Sequence, residues 1–357
     1  MDPRTIFDER VRNLFKNAAQ AHPLDIGRAL RLSQTASFQR SQERKRAHAA
    51  SGGLYVPAVL IASLTRRCNL DCAGCYSKAL RPGESGAEEL SDDRFMELFQ
   101  EALDLGTGVL MMAGGEPLLR KSLLDRVSRL KGPLIPVFTN GLLMDEEYLR
   151  LFSDGSLVPV FSIEGTAAQT CERRGAGIHE RVLESMEILN AREALFGVSV
   201  TATSKNVDTL LSGDFLKGLG KMGASVLFVV EYVPVVPGTE DLVLTDAQKD
   251  ALAAKGAFRG LPYPVVALPG DEEDYGGCLA AGRGFLHLSP EGALEACPFA
   301  PFSDTSAAAI SLTEALRSPL LALIRERHSE LTETKGGCAL WNKRGWISTL
   351  GCAANAG

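Results

Sequence analysis

The sequence predicts an α/β protein: an open, partial (β/α)6 barrel followed by a small, cysteine-rich α+β domain. Three observations carry that expectation. Short runs rich in Val, Ile, Leu and Phe recur six times between residues 54 and 235, each followed by a helical stretch. Continuous apolar strands in a strand–helix rhythm belong to a parallel sheet covered by helices, and six units fall short of the eight that close a barrel. After residue 237 the rhythm stops, Gly and Pro become frequent, and four of the eight cysteines appear. The expected segments are a helical N-terminal extension over 1–53, the barrel over 54–239 and the cysteine-rich domain over 240–357.

Each element follows from local chemistry. Residues 1–50 read as two helices: Ile6, Phe7, Val11, Leu14 and Phe15 recur at helical spacing, and Pro23 separates them from a basic helix over 24–49. That second helix carries four Lys or Arg between residues 39 and 48, which read as a solvated face. Ser51, Gly52 and Gly53 form a linker. The first strand covers 59–64. A helix over 91–105 starts on the N-cap Ser91, buries Phe95, Phe99 and Leu103, and stops at Gly106. The second strand, 109–112, ends in Gly114-Gly115-Glu116-Pro117, before a helix over 121–131. The third, 134–138, ends in Thr139-Asn140-Gly141, before a helix over 146–153. The fourth, 158–163, ends in Glu164-Gly165, and a loop leads to a helix over 177–194. The fifth, 196–202, precedes a helix over 207–222, and the sixth covers 225–233. Beyond it come a helix over 245–258, a hairpin of 284–288 with 293–296, a helix over 312–330, and a cysteine-containing tail.

Composition narrows the function. The 357 residues carry a net charge of −6 without a concentrated basic patch, which argues against nucleic acid and acidic membrane surfaces. No apolar run approaches the ~20 residues of a membrane span. The first 16 residues are charged throughout, unlike a signal peptide, so a cytoplasmic location is expected. In a reducing compartment, eight cysteines point to metal binding or catalysis rather than to disulfides.

Cys68, Cys72 and Cys75 stand at spacing C-x3-C-x2-C directly after the first strand. Zinc is usually closed by four ligands, and no fourth Cys or His lies nearby in sequence. A 4Fe–4S cubane takes four thiolates when fully ligated. Three thiolates leave one iron able to bind the amino and carboxylate groups of an amino acid. An iron–sulfur centre further implies low oxygen.

Cys68-x3-Cys72-x2-Cys75 after the first strand of a βα repeat resembles the radical S-adenosylmethionine (SAM) superfamily, over about residues 54–235. The resemblance implies a cluster that chelates SAM and cleaves it reductively to a 5′-deoxyadenosyl radical, which abstracts a hydrogen atom from substrate. It implies a reductant partner such as flavodoxin or ferredoxin. Gly114-Gly115-Glu116 is similar to the family's GGE motif: its glycines permit close approach to a ligand, and Glu116 accepts from the SAM ammonium. Thr139 and Asn140 resemble a motif near the SAM ribose and the cluster. Ser162 and Glu164 resemble residues that bind the SAM carboxylate and ribose hydroxyls. Arg174, or Arg173 in its place, resembles the arginine that pairs with that carboxylate. The family often has an aromatic residue before the third cysteine. Here that residue is Gly74, and Tyr76 is the candidate substitute.

Cys278, thirteen residues, Gly292, four residues and Cys297 resemble the opening of the SPASM and twitch domains, which hold auxiliary 4Fe–4S clusters. With Cys338 and Cys352 the set reaches four thiolates, enough for one auxiliary cluster in a twitch-like form. Cys171, on the loop after the fourth strand, and Glu231 and Tyr232, at the end of the sixth, are the candidate catalytic residues. The expectation is a radical SAM oxidoreductase or maturase acting on a peptide, a protein or a small molecule. The alternatives are a methyl-transferring radical SAM enzyme, with Cys171 as the methyl carrier, and a zinc-stabilised binding protein without catalysis.

Overall fold

The computed structural model describes residues 26–80, 88–154, 156–254, 256–268, 277–331 and 338–354. The first expected helix, carrying Ile6, Phe7, Val11, Leu14 and Phe15, lies outside them. The expected strands are present as β1 (Val59–Ser63), β2 (Val109–Ala113), β3 (Ile135–Thr139), β4 (Leu157–Ser162), β5 (Gly197–Ala202) and β6 (Val226–Glu231). They run parallel, side by side in sequence order, in a curled half-barrel. Alternation of side chains sends Leu60, Leu110, Val137, Phe161, Val198 and Val229 into the packed core. Their neighbours Ile61, Met111, Phe138 and Val230 line the hollow of the half-barrel instead.

Residues beyond 240 extend this sheet at both edges. The strand β7 (Val265–Leu268) pairs parallel with β6. The strand β8 (Phe285–Leu288) pairs parallel with β1, and β9 (Leu294–Glu295) returns antiparallel to β8. The sheet order is therefore β7-β6-β5-β4-β3-β2-β1-β8-β9. The expected hairpin forms, and three ties fasten it beside the cysteine loop. His287, fully buried, bridges Ser63 Oγ at 2.8 Å and Glu295 Oε2 at 2.7 Å. Arg66 pairs with Glu291 at 3.0 Å, and the Leu90 amide donates to the Pro290 carbonyl at 2.7 Å.

The outer helices follow their sequence punctuation. Helix α1 (Ile26–Ser51) crosses the end of the helix Asp92–Leu105, which begins on Ser91 and stops at Gly106. Of the basic residues of α1, Arg40, Arg44 and Lys45 are exposed, as expected of a solvated face, and Arg46 is half-buried. Lys45 and Arg46 donate to the carbonyls of Leu103 and Gly106, where the last carbonyls of that helix lack partners of their own. Gln39 and Gln42 take the carbonyls of Gly108, Leu103 and Thr107.

Two expected helices are split, and one expected loop is helical. Residues 207–222 form two short helices, Val207–Leu210 and Gly213–Lys221. Residues 312–330 break into Leu312–Ala315 and Pro319–Glu326, because Pro319 fits the first turn of a helix but not its interior. Residues 167–174, expected as a loop, form a helix, α2 (Ala167–Arg174). Its capping box pairs Thr166 with Gln169. Among the described residues no helix is long and apolar enough to cross a membrane.

Candidate functional site

The cysteine loop leaves β1 at Ser63 and arches over the hollow of the half-barrel. Cys68, Cys72 and Cys75 all line one cavity, together with Gly114, Gly115, Glu116, Thr139, Asn140, Ser162, Arg173 and Arg174. Sequence-distant motifs from the ends of β1 to β4 therefore meet at one place. Gly74 sits within the loop at φ +67°, and a Cβ there would lie 2.3 Å from the Tyr232 hydroxyl. The position must be glycine because the Tyr232 ring occupies the space a side chain would need.

The Gly114-Gly115 pair serves a close approach, though the nearest neighbour is the chain itself. A Cβ at Gly115 would lie 2.1 Å from the Arg67 carbonyl oxygen, and one at Gly114 would lie 2.6 Å from that of Thr65. This lets the Gly115 and Glu116 amides donate to the Thr65 and Arg67 carbonyls at 2.7 and 2.9 Å. Glu116 is buried behind this turn. Its Oε1 accepts from Thr139 Oγ1 at 2.7 Å and the Leu118 amide at 3.0 Å, and its Oε2 from the Asn140 amide at 2.8 Å. Burial nevertheless pushes its carboxyl above the usual range, against these three donors. Asn140 continues the chain, donating to Asn69 Oδ1 at 2.8 Å and contacting Cys68 Sγ at 3.9 Å.

A second charged group closes the other side. Arg173 and Arg174, at the end of α2, both donate to Oε1 of the buried Glu164, at 2.5 and 2.6–2.7 Å. Arg173 also donates to Thr201 Oγ1 at 3.0 Å. Glu164 Oε2 and Arg173 Nε are buried with no hydrogen-bond partner. Burial works to lower Arg173, but Glu164 overrides it and holds the guanidinium charged. Glu164 lies behind the arginines rather than on the cavity wall. The capping box of α2 was a legible sign that the two arginines stand on a helix.

The thiols respond to the same surroundings. Loss of solvation pushes Cys68 up to about 11, reinforced by Glu116 and the two other thiols, although the residue is open to solvent on one side. Burial also raises Cys72, against the pull of Arg174 and Arg173. Such thiols gain anionic character only beside a cationic centre. Among the described residues no three His, Cys, Asp or Glu side chains converge as ligands of a single metal ion. The thiolate ligands of a cubane sit on different irons and stand farther apart.

The remaining candidates separate. Tyr76 lines the cavity, and its ring meets Phe299 at a centroid distance of 4.5 Å. Glu231 and Tyr232 line it from the end of β6. Lys249 holds Glu231 at 2.6 Å, and the Tyr232 hydroxyl donates to Thr239 Oγ1 at 2.7 Å. Cys171 is exposed on α2 and is not on the cavity wall. Of the second cysteine set, the Cys297 thiol is raised well above its ordinary value by a hydrogen bond with Cys338, by burial and by the nearby Cys278. Cys352 lies in the helix Arg344–Ala354, with its side chain outside the described residues. Ser199 and Thr201 of β5 also line the cavity, as do Phe138, Pro298 and Phe299, which no sequence motif singled out.

Comparison with known proteins agrees with this geometry. A family model described as the Radical SAM superfamily matches residues 62–201. The mycofactocin maturase MftC of Mycobacterium ulcerans is 30% identical over 264 residues, covering 70% of this chain and 70% of that protein. The AdoMet-dependent heme synthase of Methanosarcina barkeri is 27% identical over 274 residues, covering 69% and 78%. Among solved structures, Streptococcus suis SuiB bound to S-adenosylmethionine superposes with a TM-score of 0.64 at 17% identity, covering 83% of this chain and 73% of that one. At that identity the superposition establishes a shared fold.

Proposed function

Since this chain belongs to the radical SAM superfamily and its relatives are enzymes, we propose that Cys68, Cys72 and Cys75 hold a 4Fe–4S cluster whose open iron takes SAM. The observation that carries the reading is the convergence of three thiols, Glu116 and the Arg173–Arg174 pair on one cavity. The residues fit the group. The three thiols leave one iron open, and Arg173, on the cavity wall, has a buried Nε that still lacks a partner. With both bound, the cluster supplies an electron that cleaves SAM to a 5′-deoxyadenosyl radical able to abstract a hydrogen atom from substrate.

The chain's own residues orient and neutralise. Glu116, held by Thr139, Asn140 and Leu118, accepts from the SAM ammonium with its remaining lone-pair capacity. Two guanidiniums against one Glu164 carboxylate leave an excess positive charge on the wall, which suits the SAM carboxylate together with Ser162. Asn140 holds the cluster loop through Asn69. Cys278, Cys297 and Cys338, with Cys352, hold an auxiliary 4Fe–4S cluster that assists oxidation or binds substrate. Glu231 and Tyr232 face the substrate side of the cavity.

Anaerobic reconstitution tests the reading. About eight irons per chain correspond to two cubane clusters. With SAM and dithionite the protein forms 5′-deoxyadenosine, and replacing Cys68, Cys72 and Cys75 by alanine abolishes this. A colourless, zinc-loaded chain without iron would refute it.

A further inference from the structure

The segment that follows Cys297 reaches into the first cavity. Cys297, Pro298, Phe299 and Ala300 form a tight turn in which the Ala300 amide donates to the Cys297 carbonyl at 2.9 Å. Proline at the second position pre-sets such a turn. Phe299 is therefore aimed by the backbone of a buried cysteine, and both Pro298 and Phe299 stand on the wall of the cavity. The partner of the Phe299 ring is Tyr76, at 4.5 Å and an interplanar angle of 53°. Tyr76 directly follows Cys75 and opens a short helix, Tyr76–Leu80, whose Ala79 amide donates to the Cys75 carbonyl at 3.1 Å. Each ring is thus anchored to the backbone of a cysteine from a different set, and the two rings touch inside the cavity. The Ser63–His287–Glu295 tie joins the same parts of the chain, but none of its side chains is on the cavity wall.

We propose that Phe299 is a positioning residue that couples the C-terminal cysteine set to the SAM cavity: a metal group held by Cys278, Cys297 and Cys338 fixes the Cys297–Ala300 turn, and Phe299 then holds Tyr76 and the neighbouring Cys75. This rests on the reading of those cysteines as an auxiliary metal site. The SAM affinity of the first site depends on occupancy of the second, through one aromatic contact. Reciprocity requires SAM to stabilise the second site by the same factor.

A double-mutant cycle on the anaerobically reconstituted full chain tests this, with SAM as the probe. The readouts are SAM affinity, the change in the electron paramagnetic resonance spectrum of the reduced first cluster on SAM addition, and iron per chain. Removing an aromatic contact of this kind lowers affinity about two- to tenfold, so Phe299→Ala is expected to weaken SAM binding by that factor with the iron content unchanged. Cys297→Ser is expected to lose about half the iron, as one of two cubanes is lost, and to weaken SAM binding similarly. The double variant is expected to be no weaker than either single variant, since both break one path. Phe299→Tyr and Phe299→Trp, which keep a ring, are expected to restore the affinity and the spectrum.

Multiplying effects in the double variant, or wild-type affinity in Phe299→Ala, would overturn the coupling. Iron unchanged by Cys297→Ser would overturn the coupling together with the auxiliary-site reading. Iron lost with SAM affinity intact would overturn the coupling alone. Thermal melts of Phe299→Ala and Phe299→Tyr separate these results from global unfolding.

Discussion

Gly115→Ala is the sharpest perturbation available at the root of the cysteine loop. The new Cβ would lie 2.1 Å from the Arg67 carbonyl oxygen and 2.6 Å from its carbon. These are backbone atoms, so no rotamer change relieves the clash. Residues 65–67 must retreat by roughly an ångström to restore van der Waals contact. That breaks the two amide–carbonyl bonds joining the turn to this segment, at 2.7 and 2.9 Å. Each is worth about 1 kcal/mol net, and overpacking strain adds about 1–3 kcal/mol. The expected loss is about 3–5 kcal/mol, a large share of a typical stability of about 5–15 kcal/mol. At roughly 2 °C per kcal/mol for a chain of this size, melting falls by about 6–10 °C. Cys68 directly follows the displaced Arg67, so iron retention after reconstitution should fall as well. Gly218→Ala is the control. It lies in a helix with nothing within 4 Å of the added Cβ, and is expected to stabilise by about 1 kcal/mol. Calorimetry and iron assay read both variants. A Gly115→Ala protein that melts within 2 °C of wild type and holds normal iron would refute the claim that this glycine exists for the backbone approach.

Two further outcomes follow from the site. Glu116→Gln places an amide N–H₂ where one carboxylate oxygen accepted, so either the Asn140 amide or the Thr139–Leu118 pair of donors loses its acceptor. A loss of about 2 kcal/mol in denaturant unfolding is expected, with weaker hold on the cluster loop through Asn140 and Asn69; unchanged stability would contradict it. In the metal-free chain, Cys68 stays protonated well past the range of an ordinary thiol, because its titration moves up from 9.0 to about 11. Its alkylation by iodoacetamide, followed by peptide mass spectrometry, should run about 100-fold slower at pH 8 than that of an ordinary thiol. It should keep rising until about pH 11, and a plateau near pH 9 would contradict the reading.

The half-barrel was legible because its strands are uninterrupted aliphatic runs, and a buried parallel strand has no polar face to confuse the pattern. The strand β7 was missed for the opposite reason. Its four residues lie between Pro264 and Pro269, and prolines usually mark the limits of loops. Helix α2 was missed because Ala-Ala-Gln-Thr-Cys-Glu-Arg-Arg carries no apolar stripe, and only its Thr166–Gln169 capping box announces it. The thiols were legible because metal chemistry restricts cysteine spacing. Their surroundings were not. Gly74 departs from the family's aromatic residue, and the reason lies at the end of β6, where Tyr232 fills the space. Tyr76, the candidate for that place, lines the cavity and also meets Phe299, from the far side of the chain. Contacts between residues so distant in sequence arise from strand order, which local patterns do not encode.

Strand order also sets where the C-terminal region lies. Had β8 packed at the β6 edge, Cys297 and Phe299 would stand across the sheet from the cysteine loop. Its parallel register on β1, from Val59 opposite Phe285 to Ala62 opposite Leu288, places the hairpin beside the loop instead. His287 then fixes that register from within. One buried imidazole satisfies Ser63, the last residue of β1, and Glu295, two residues before Cys297. A slip of one residue would turn His287 to the opposite face and leave Glu295 buried without this partner. Such a buried carboxylate costs several kcal/mol unless it is protonated. The polar network thus specifies register more than it adds stability. Its consequence is that the two cysteine segments lie side by side, where the coupling proposed above would run through the Phe299–Tyr76 contact.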